Sequence, residues 1–309
     1  MRILVTGATG YLGRAVSQRL KGAGHDVTAV ARDTVGLSAL TAAGFHAVRG
    51  DLSDPTSLRD AVEEAEAVVE TADADNAGAT AGFLGLLAGS GKRYVRTSGV
   101  AVYTELSAGE AGDTVHVEDP AWEPIEPLRH RWNQDLSVMA AAADGIHSVV
   151  LRPGMVYGLG GSEQLPVLLR AAMRDRVSRY TGPGLNRYPN VHLDDVAQAY
   201  VLAVESAPAG SEYNLAADET TMREIAEGVA SVLGLGEAVS STLEEVAQGI
   251  GLTYAFGMAS NVRVDSARAR AELGWNPVGP SLIDDLVRGS YRKVWGDREV
   301  ALVTGEVAA

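Results

Sequence analysis

The chain has 309 residues, 46% of them hydrophobic and 21% charged, with a formal net charge of −14 and no cysteine. That composition suits one or two globular domains with a real core and excludes a disordered or collagenous chain. The acidic field argues against nucleic-acid and anionic-membrane partners, and the missing thiols exclude disulfides, thiolate catalysis and Cys-based metal sites. No apolar run approaches the ~18 residues a membrane span requires, and the opening Met1-Arg2-Ile3-Leu4-Val5 lacks a signal-peptide pattern. The expectation is a cytoplasmic protein whose partner is a small molecule.

In chain order, Arg2–Thr6 reads as a strand running into a glycine-rich turn, and Tyr11–Ala23 as a helix with Leu12, Val16 and Leu20 on one face. Asp26–Ala31 is a second strand, Leu37–Ala43 a weaker helix and Ala47–Arg49 a third strand. Pro55 opens a helix through Glu64, with Ser53 or Asp54 as its cap. Ala67–Glu70, Arg93–Ser98 and His147–Arg152 read as further strands, with a small-residue helix over Asn76–Ala88. Pro127–Ala143 is predicted as a helix with an apolar stripe of Leu128, Trp132, Leu136 and Met139, ended by Gly145. Tyr188–Ser206 reads as a strand entering a helix and Glu212–Ala216 as a strand. Past Thr220 the pattern is helical with little strand signal, and 299–309 reads as loose. Strands alternating with helices predict βαβ units and a parallel sheet. The expected division is a dinucleotide-type domain over residues 1–158 and 186–216, with a smaller, mostly C-terminal substrate domain over 159–185 and 217–309.

Thr6-Gly7-Ala8-Thr9-Gly10-Tyr11-Leu12-Gly13 lies between the first strand and the first helix. Gly7 permits the tight turn, Gly10 lets the backbone approach a pyrophosphate, and Gly13 lets the helix pack on the strand; the helix N-terminus adds unpaired N–H groups and a positive dipole. NAD-preferring sites place an acidic residue at the end of the second strand to hold the ribose 2′-hydroxyl. Here that strand ends Val30-Ala31-Arg32-Asp33, so Arg32 is positioned for a 2′-phosphate and NADP(H) is favoured over NAD(H). The competing reading makes Arg32 a solvated charge and gives Asp33 the acidic role.

The Thr6–Gly13 start and five further segments resemble the extended short-chain dehydrogenase/reductase superfamily of the epimerase/dehydratase type: Gly50-Asp51-Leu52-Ser53-Asp54, Thr97-Ser98-Gly99-Val100-Ala101-Val102-Tyr103, Leu151-Arg152-Pro153-Gly154-Met155-Val156-Tyr157-Gly158, Val191-His192-Leu193-Asp194-Asp195-Val196-Ala197 and Ala271-Glu272-Leu273-Gly274-Trp275-Asn276-Pro277. They span nearly the whole chain in the family's order. The resemblance implies a Rossmann-type doubly wound sheet with Asp51 and Leu52 at the adenine, Thr71 and Ala72 near the ribose-phosphates, Thr97 in the cofactor cleft, and Pro153 and Met155 near the nicotinamide. It also suggests a homodimer.

The family's acid/base set is absent. Its hydride chemistry uses a Tyr, a Lys four residues on and a Ser or Thr, yet the only lysines are Lys21, Lys92 and Lys293, none with a Tyr four residues before it. If Asp135 matches the acidic residue that often follows the Lys, Arg131 stands for the Lys and Pro127 for the Tyr; counting back four from Tyr103 places Gly99 at the catalytic Ser. Arg131 is then a ribose or carboxylate ligand, or simply an i,i+4 partner of Asp135. The candidate catalytic groups are Tyr157, His130 and Ser98, with Gly99, Tyr103 and His192 bordering the substrate. His116, and Glu118, Asp119, Glu123 and Glu126 of the proline-broken loop, are weaker candidates, as is the basic stretch Arg170, Arg174, Arg176, Arg179 and Arg187. Scattered histidines lack metal-ligand spacing, and Ser162 lacks the setting of a nucleophile elbow. The leading expectation is an NADP(H)-binding enzyme, oxidoreductase or epimerase/dehydratase-like, with an atypical site. A non-redox isomerase, lyase or cyclase and a silent NADP-sensing protein remain open.

Overall fold

The computed structural model of the chain describes residues 1–296; the segment 299–309, expected to be loose, lies outside them. Seven parallel strands form the main sheet, the α/β class expected. Four alternate with helices from the start of the chain: β1 (Arg2–Thr6), α1 (Tyr11–Gly22), β2 (Asp26–Ala31), α2 (Thr34–Ala42), β3 (His46–Arg49), α3 (Arg59–Glu64) and β4 (Ala67–Glu70). Helix α4 (Ala77–Leu87) leads to β5 (Arg93–Thr97), and α5 (Arg129–Ala140) to the strand His147–Pro153, beside which Ser211–Leu215 forms the edge. β1 pairs with β2 on one side and β4 on the other, so the strand order reverses at β1 and a crevice opens beyond its C-terminal end.

The sheet is buried on both faces, as its near-continuous apolar strands require. Ile3, Val5, Val69, Val95 and Leu151 pack against α1 and the helix Leu193–Ser206, while Leu4, Val68, Tyr94 and Val150 pack against α4 and α5. A second apolar cluster holds Trp132, Leu165, Ile225, Val229, Leu286 and Trp295 beyond the sheet's C-terminal edge.

Several elements differ from expectation for local reasons. Asp54 accepts a bond from the Thr56 backbone N–H and caps a 3-10 turn, Pro55–Leu58, so α3 begins only at Arg59. Asp33 caps α2 from Gly36 and moves its start forward to Thr34. α5 is shorter than predicted, and its buried face is Trp132, Gln134, Asp135 and Val138 rather than a purely apolar stripe. Past the expected last strand lie Asp218–Thr221, Val239–Ser241 and Ser260–Asn261, each four residues or fewer and too short for a periodic signal. Asp218–Thr221 joins Arg187–His192 and Met155–Tyr157 in a small three-stranded sheet. No helix of the described residues is long and apolar enough to cross a membrane.

Candidate functional site

The glycine turn is shaped by contacts that exclude a side chain. Gly7 has φ +71°, where L residues are strained, and a Cβ there would lie 2.8 Å from the Thr71 and Ala72 backbone. A Cβ on Gly13 would lie 2.1 Å from the Gly7 carbonyl oxygen and 2.4 Å from the Thr71 hydroxyl, which itself donates to the Thr6 carbonyl at 2.6 Å. At Gly10 the nearest atom would be 3.2 Å away, so that position faces open space on its other sides. Beyond it lies a cleft of about 400 Å³ walled by Thr9, Gly10, Arg32, Asp51, Leu52 and Ala72. It meets a second cleft of about 440 Å³ through Thr71, Ala72 and Asp73. This bipartite channel, with helix N-terminal N–H groups at its waist, fits an extended dinucleotide.

At the first end, Arg32 faces Asp51, whose carboxyl is held below the usual range by hydrogen bonds from Ser53, with Arg32 adding to the effect. The Asp33 carboxylate is spent on capping α2 and does not wall the channel.

At the second end, the wall includes Tyr11, Leu12, Thr97, Ser98, Gly99, Arg131, Pro153, Met155 and Tyr188. Ser98 Oγ donates to Asp135 Oδ2 at 2.8 Å. The Thr97 hydroxyl bonds the Glu70 carbonyl and the Tyr200 phenol, so it is tied into the sheet. Arg131 corrects the i,i+4 alternative: Nε and Nη2 bond the two oxygens of Asp75 at 2.8 and 2.6 Å, a bidentate clamp to the loop after β4. Burial works against its charge, but the Asp75 pair outweighs that and raises its pKa. Its Nη1 lies 3.6 Å from where a Gly99 Cβ would stand, over the position of the missing hydroxyl.

Asp135 is instead the centre of a buried ionic cluster. Its oxygens take Arg96 Nε at 3.2 Å and Arg152 Nε at 2.9 Å, and all three side chains are 0% exposed. Arg152 also pairs with Glu212 at 2.5 Å and donates to the Tyr103 hydroxyl at 3.0 Å. Glu70, 3.7 Å from Arg96, has its carboxyl pKa raised by burial despite bonds from Tyr94 and Arg96.

This arrangement removes three sequence candidates from the channel. The Tyr157 hydroxyl donates to the Pro280 carbonyl at 2.6 Å, and burial holds its pKa well above the usual phenol value. Tyr103 lies under Arg152, stacked on His116 with ring centroids 5.1 Å apart, its pKa pushed up to about 12 by burial. His192 caps its own helix by accepting from the Asp194 N–H and packs edge-on against Tyr157. None of these three walls either cleft. His130 is half exposed, bonds Asp75 at 2.8 Å and also stands outside the wall. Of the weaker candidates, Glu118 Oε1 accepts from the Asn214 N–H, while Arg174 and Arg187 pair with Asp175 and Glu219.

Sequence reasoning missed Tyr188 and Asp75. Tyr188 is the second residue of a strand of the small sheet, outside every motif, and Asp75 sits in a loop whose partner is 56 positions away. The one available signal for Asp75 was its acidic place just past a strand end of the sheet, where such folds bind ligands.

A model of the NAD dependent epimerase/dehydratase family matches residues 3–216. An uncharacterised protein of Schizosaccharomyces pombe is 30% identical over 304 residues, covering 94% of this chain and all of that one. A 2-alkyl-3-oxoalkanoate reductase of Stenotrophomonas maltophilia is 29% identical over 76% of each chain. Among solved structures, a UDP-glucose 4-epimerase of Thermotoga maritima, in complex with UDP-glucose, superposes with a TM-score of 0.74 at 20% identity, covering 95% of this chain and 99% of that one. The chain belongs to the NAD dependent epimerase/dehydratase family, within the extended short-chain dehydrogenase/reductase superfamily. It is an NAD(P)-dependent enzyme of the oxidoreductase/epimerase kind.

Proposed function

We propose that the protein is an NADP(H)-dependent oxidoreductase acting on a small carbonyl compound, through a site that departs from its family's. The carrying observation is the bipartite channel that runs from Arg32 past the glycine turn to Ser98, Arg131 and Tyr188. In this reading residues 1–158 and 186–216 carry the nucleotide, and 159–185 and 217–309 shape the substrate end. Gly7, Thr9, Gly10 and Tyr11 lead the pyrophosphate to the N-terminus of α1, which Gly13 lets close onto the turn. Asp51 and Leu52 flank the adenine, and Arg32 meets a 2′-phosphate. Thr71 and Ala72 line the waist; Leu12, Thr97, Pro153 and Met155 shape the nicotinamide end. When bound, the reduced cofactor supplies a hydride.

The charge of the substrate end favours an uncharged substrate over a nucleotide sugar. Its wall carries Asp73, Asp75 and Glu163 against Arg131, which Asp75 already neutralises. A pyrophosphate held there would meet more like charge than opposite. The 2-alkyl-3-oxoalkanoate reductase among the curated relatives agrees with a carbonyl substrate, although its oxoalkanoate also carries a carboxylate. A second reading, non-redox isomerisation or elimination on the same scaffold, is favoured by the absence of side-chain chemistry at Gly99 and Pro127.

Calorimetric titration with NADPH and NADH tests the assignment. Micromolar NADPH binding with much weaker NADH is expected, and Arg32→Ala should weaken NADPH at least tenfold while leaving NADH within about twofold, the loss of one charge-assisted contact. Equal losses for both nucleotides would remove Arg32 from the 2′-phosphate. Oxidation of NADPH by a panel of uncharged aldehydes and ketones then separates the redox reading from the non-redox one, in which substrate changes without loss of reduced nicotinamide.

A further inference from the structure

The tyrosines sort themselves by what their hydroxyls do. Tyr11 donates to the Gly158 carbonyl, Tyr94 bonds Glu70, Tyr103 accepts from Arg152, and Tyr157 donates to the Pro280 carbonyl. Tyr200, Tyr213 and Tyr291 are likewise bonded, to Thr97, Glu272 and the Gly161 carbonyl. Among the buried tyrosines Tyr188 is the exception. It is 8% exposed, its ring sits in the second apolar cluster, and it walls the substrate end of the channel. Its hydroxyl makes no hydrogen bond with any described residue, and the oxygen is not among the fully buried unpartnered atoms, so it is open to the cleft. A phenol left open in a cleft wall, with no protein partner, is free to donate to a ligand placed there.

Two ionisable groups face it. Arg131 draws its pKa down and Glu163 pushes it up, and burial dominates, leaving it at about 12. The phenol therefore holds its proton at neutral pH. Arg131 completes the picture. With Nε and Nη2 fixed by Asp75, Nη1 has no hydrogen bond among the described residues and projects over Gly99. A rigid donor and a protonated phenol thus converge on one cavity.

We propose that Tyr188 is the proton donor of this site and that Arg131 Nη1 holds the substrate oxygen beside it. The inference rests on the redox reading above. As the carbonyl carbon gains a hydride from the reduced nicotinamide, the π pair moves onto oxygen, which takes the Tyr188 proton. The substrate is reduced by two electrons, NADPH becomes NADP⁺, and the phenolate regains a proton from solvent water.

The test pairs kinetics with a measurement that needs no turnover. Tyr188→Phe should lower kcat for NADPH-dependent carbonyl reduction by ~10²–10⁴-fold, the usual worth of a general acid, with NADPH affinity within about twofold of wild type. An unchanged kcat overturns the proposal. In wild-type protein labelled with [¹³Cζ]-tyrosine, the resonance missing from Tyr188→Phe belongs to Tyr188. It should shift when NADP⁺ is added and again in Arg131→Met. A Tyr188 resonance indifferent to both refutes the placement; where Tyr188→Phe fails to fold, site-specific incorporation of 3-fluorotyrosine at position 188 supplies the same readout by fluorine resonance. If wild-type protein binds NADPH but reduces no carbonyl, the redox reading fails, and the resonance alone decides whether the phenol faces the nucleotide.

Discussion

Asp135 offers the sharpest test of how the site is held together. Asp135→Leu removes one carboxylate from contact with Arg96 at 3.2 Å, Arg152 at 2.9 Å and Ser98 at 2.8 Å, and leaves two guanidinium groups at 0% exposure. Neither cation is wholly stranded. Arg96 keeps the Thr80 hydroxyl and the Ala74 carbonyl, and Arg152 keeps Glu212 and Tyr103. Breaking a buried pair typically costs about 3–5 kcal/mol, because the remaining charge cannot return to water. These residual partners place the expected loss near the lower figure, about 3 kcal/mol, a large share of a total of roughly 5–15 kcal/mol. Urea unfolding should show a lower midpoint at unchanged slope. The control is Asp75→Asn: that carboxylate is 43% exposed, so losing its clamp on Arg131 should cost about 0–1 kcal/mol despite the shorter 2.6 Å contact. If Asp135→Leu costs less than about 1 kcal/mol, or no more than Asp75→Asn, burial is not what gives this cluster its weight.

The glycine turn and a buried carboxylate give two further expectations. Gly10→Val should abolish NADPH binding in calorimetry while keeping the thermal midpoint near wild type, because its Cβ meets only the Gly7 carbonyl at 3.2 Å. Gly13→Val, with contacts of 2.1 and 2.4 Å, should lose binding and stability together; equal midpoints for the two variants would refute the packing role of Gly13. Glu70 governs a pH term. Its folded-state pKa is raised, by burial above all, so the folded chain keeps a proton that the unfolded chain has released. Its stabilising contribution is complete below the ordinary carboxylate pKa and is lost as pH rises through the higher folded value. Thermal midpoints from acid to neutral pH should therefore fall more steeply with rising pH in wild type than in Glu70→Gln, and parallel curves would remove Glu70 as the source.

The sequence announced the parts of the molecule that depend on local chemistry. Gly7, Gly10 and Gly13 are legible because a strand-to-helix turn against a second backbone tolerates no other residue, and the parallel sheet because its strands are apolar without alternation. The helix from Arg129 was legible as an element but not in its facing. An apolar period assigns Leu136 and Met139 to the core, whereas Asp135 is fully buried there beside Val138, since two arginines on neighbouring strands demand a counter-charge. No local pattern encodes a partner on β5 or on His147–Pro153. The same limit hid the Arg131–Asp75 clamp and the unpartnered phenol of Tyr188. Conversely, Tyr157 and Tyr103 looked available from their place past strand ends, and only the three-dimensional partners, Pro280 and Arg152, show their hydroxyls to be occupied.

The departures from the family's acid/base set are connected in space. Gly99 has φ −174°, an extended conformation any residue adopts, and a Cβ there would find Arg131 Nη1 at 3.6 Å and the Pro153 carbonyl at 3.8 Å, both ordinary contacts. Packing therefore does not forbid a serine at 99. What stands at that place instead is a guanidinium that the Asp75 clamp holds in one orientation, and a fixed donor aimed at a reacting oxygen avoids the reorganisation a free hydroxyl would need. An arginine cannot release a proton near neutral pH, so it can replace the hydroxyl's hold on oxygen but not the tyrosine's proton. The two functions that the family's catalytic hydroxyls combine must then be divided between different side chains. Tyr188, on a strand of the small sheet rather than on the helix that carries Arg131, is the phenol in the channel wall whose hydroxyl is left for the second of them.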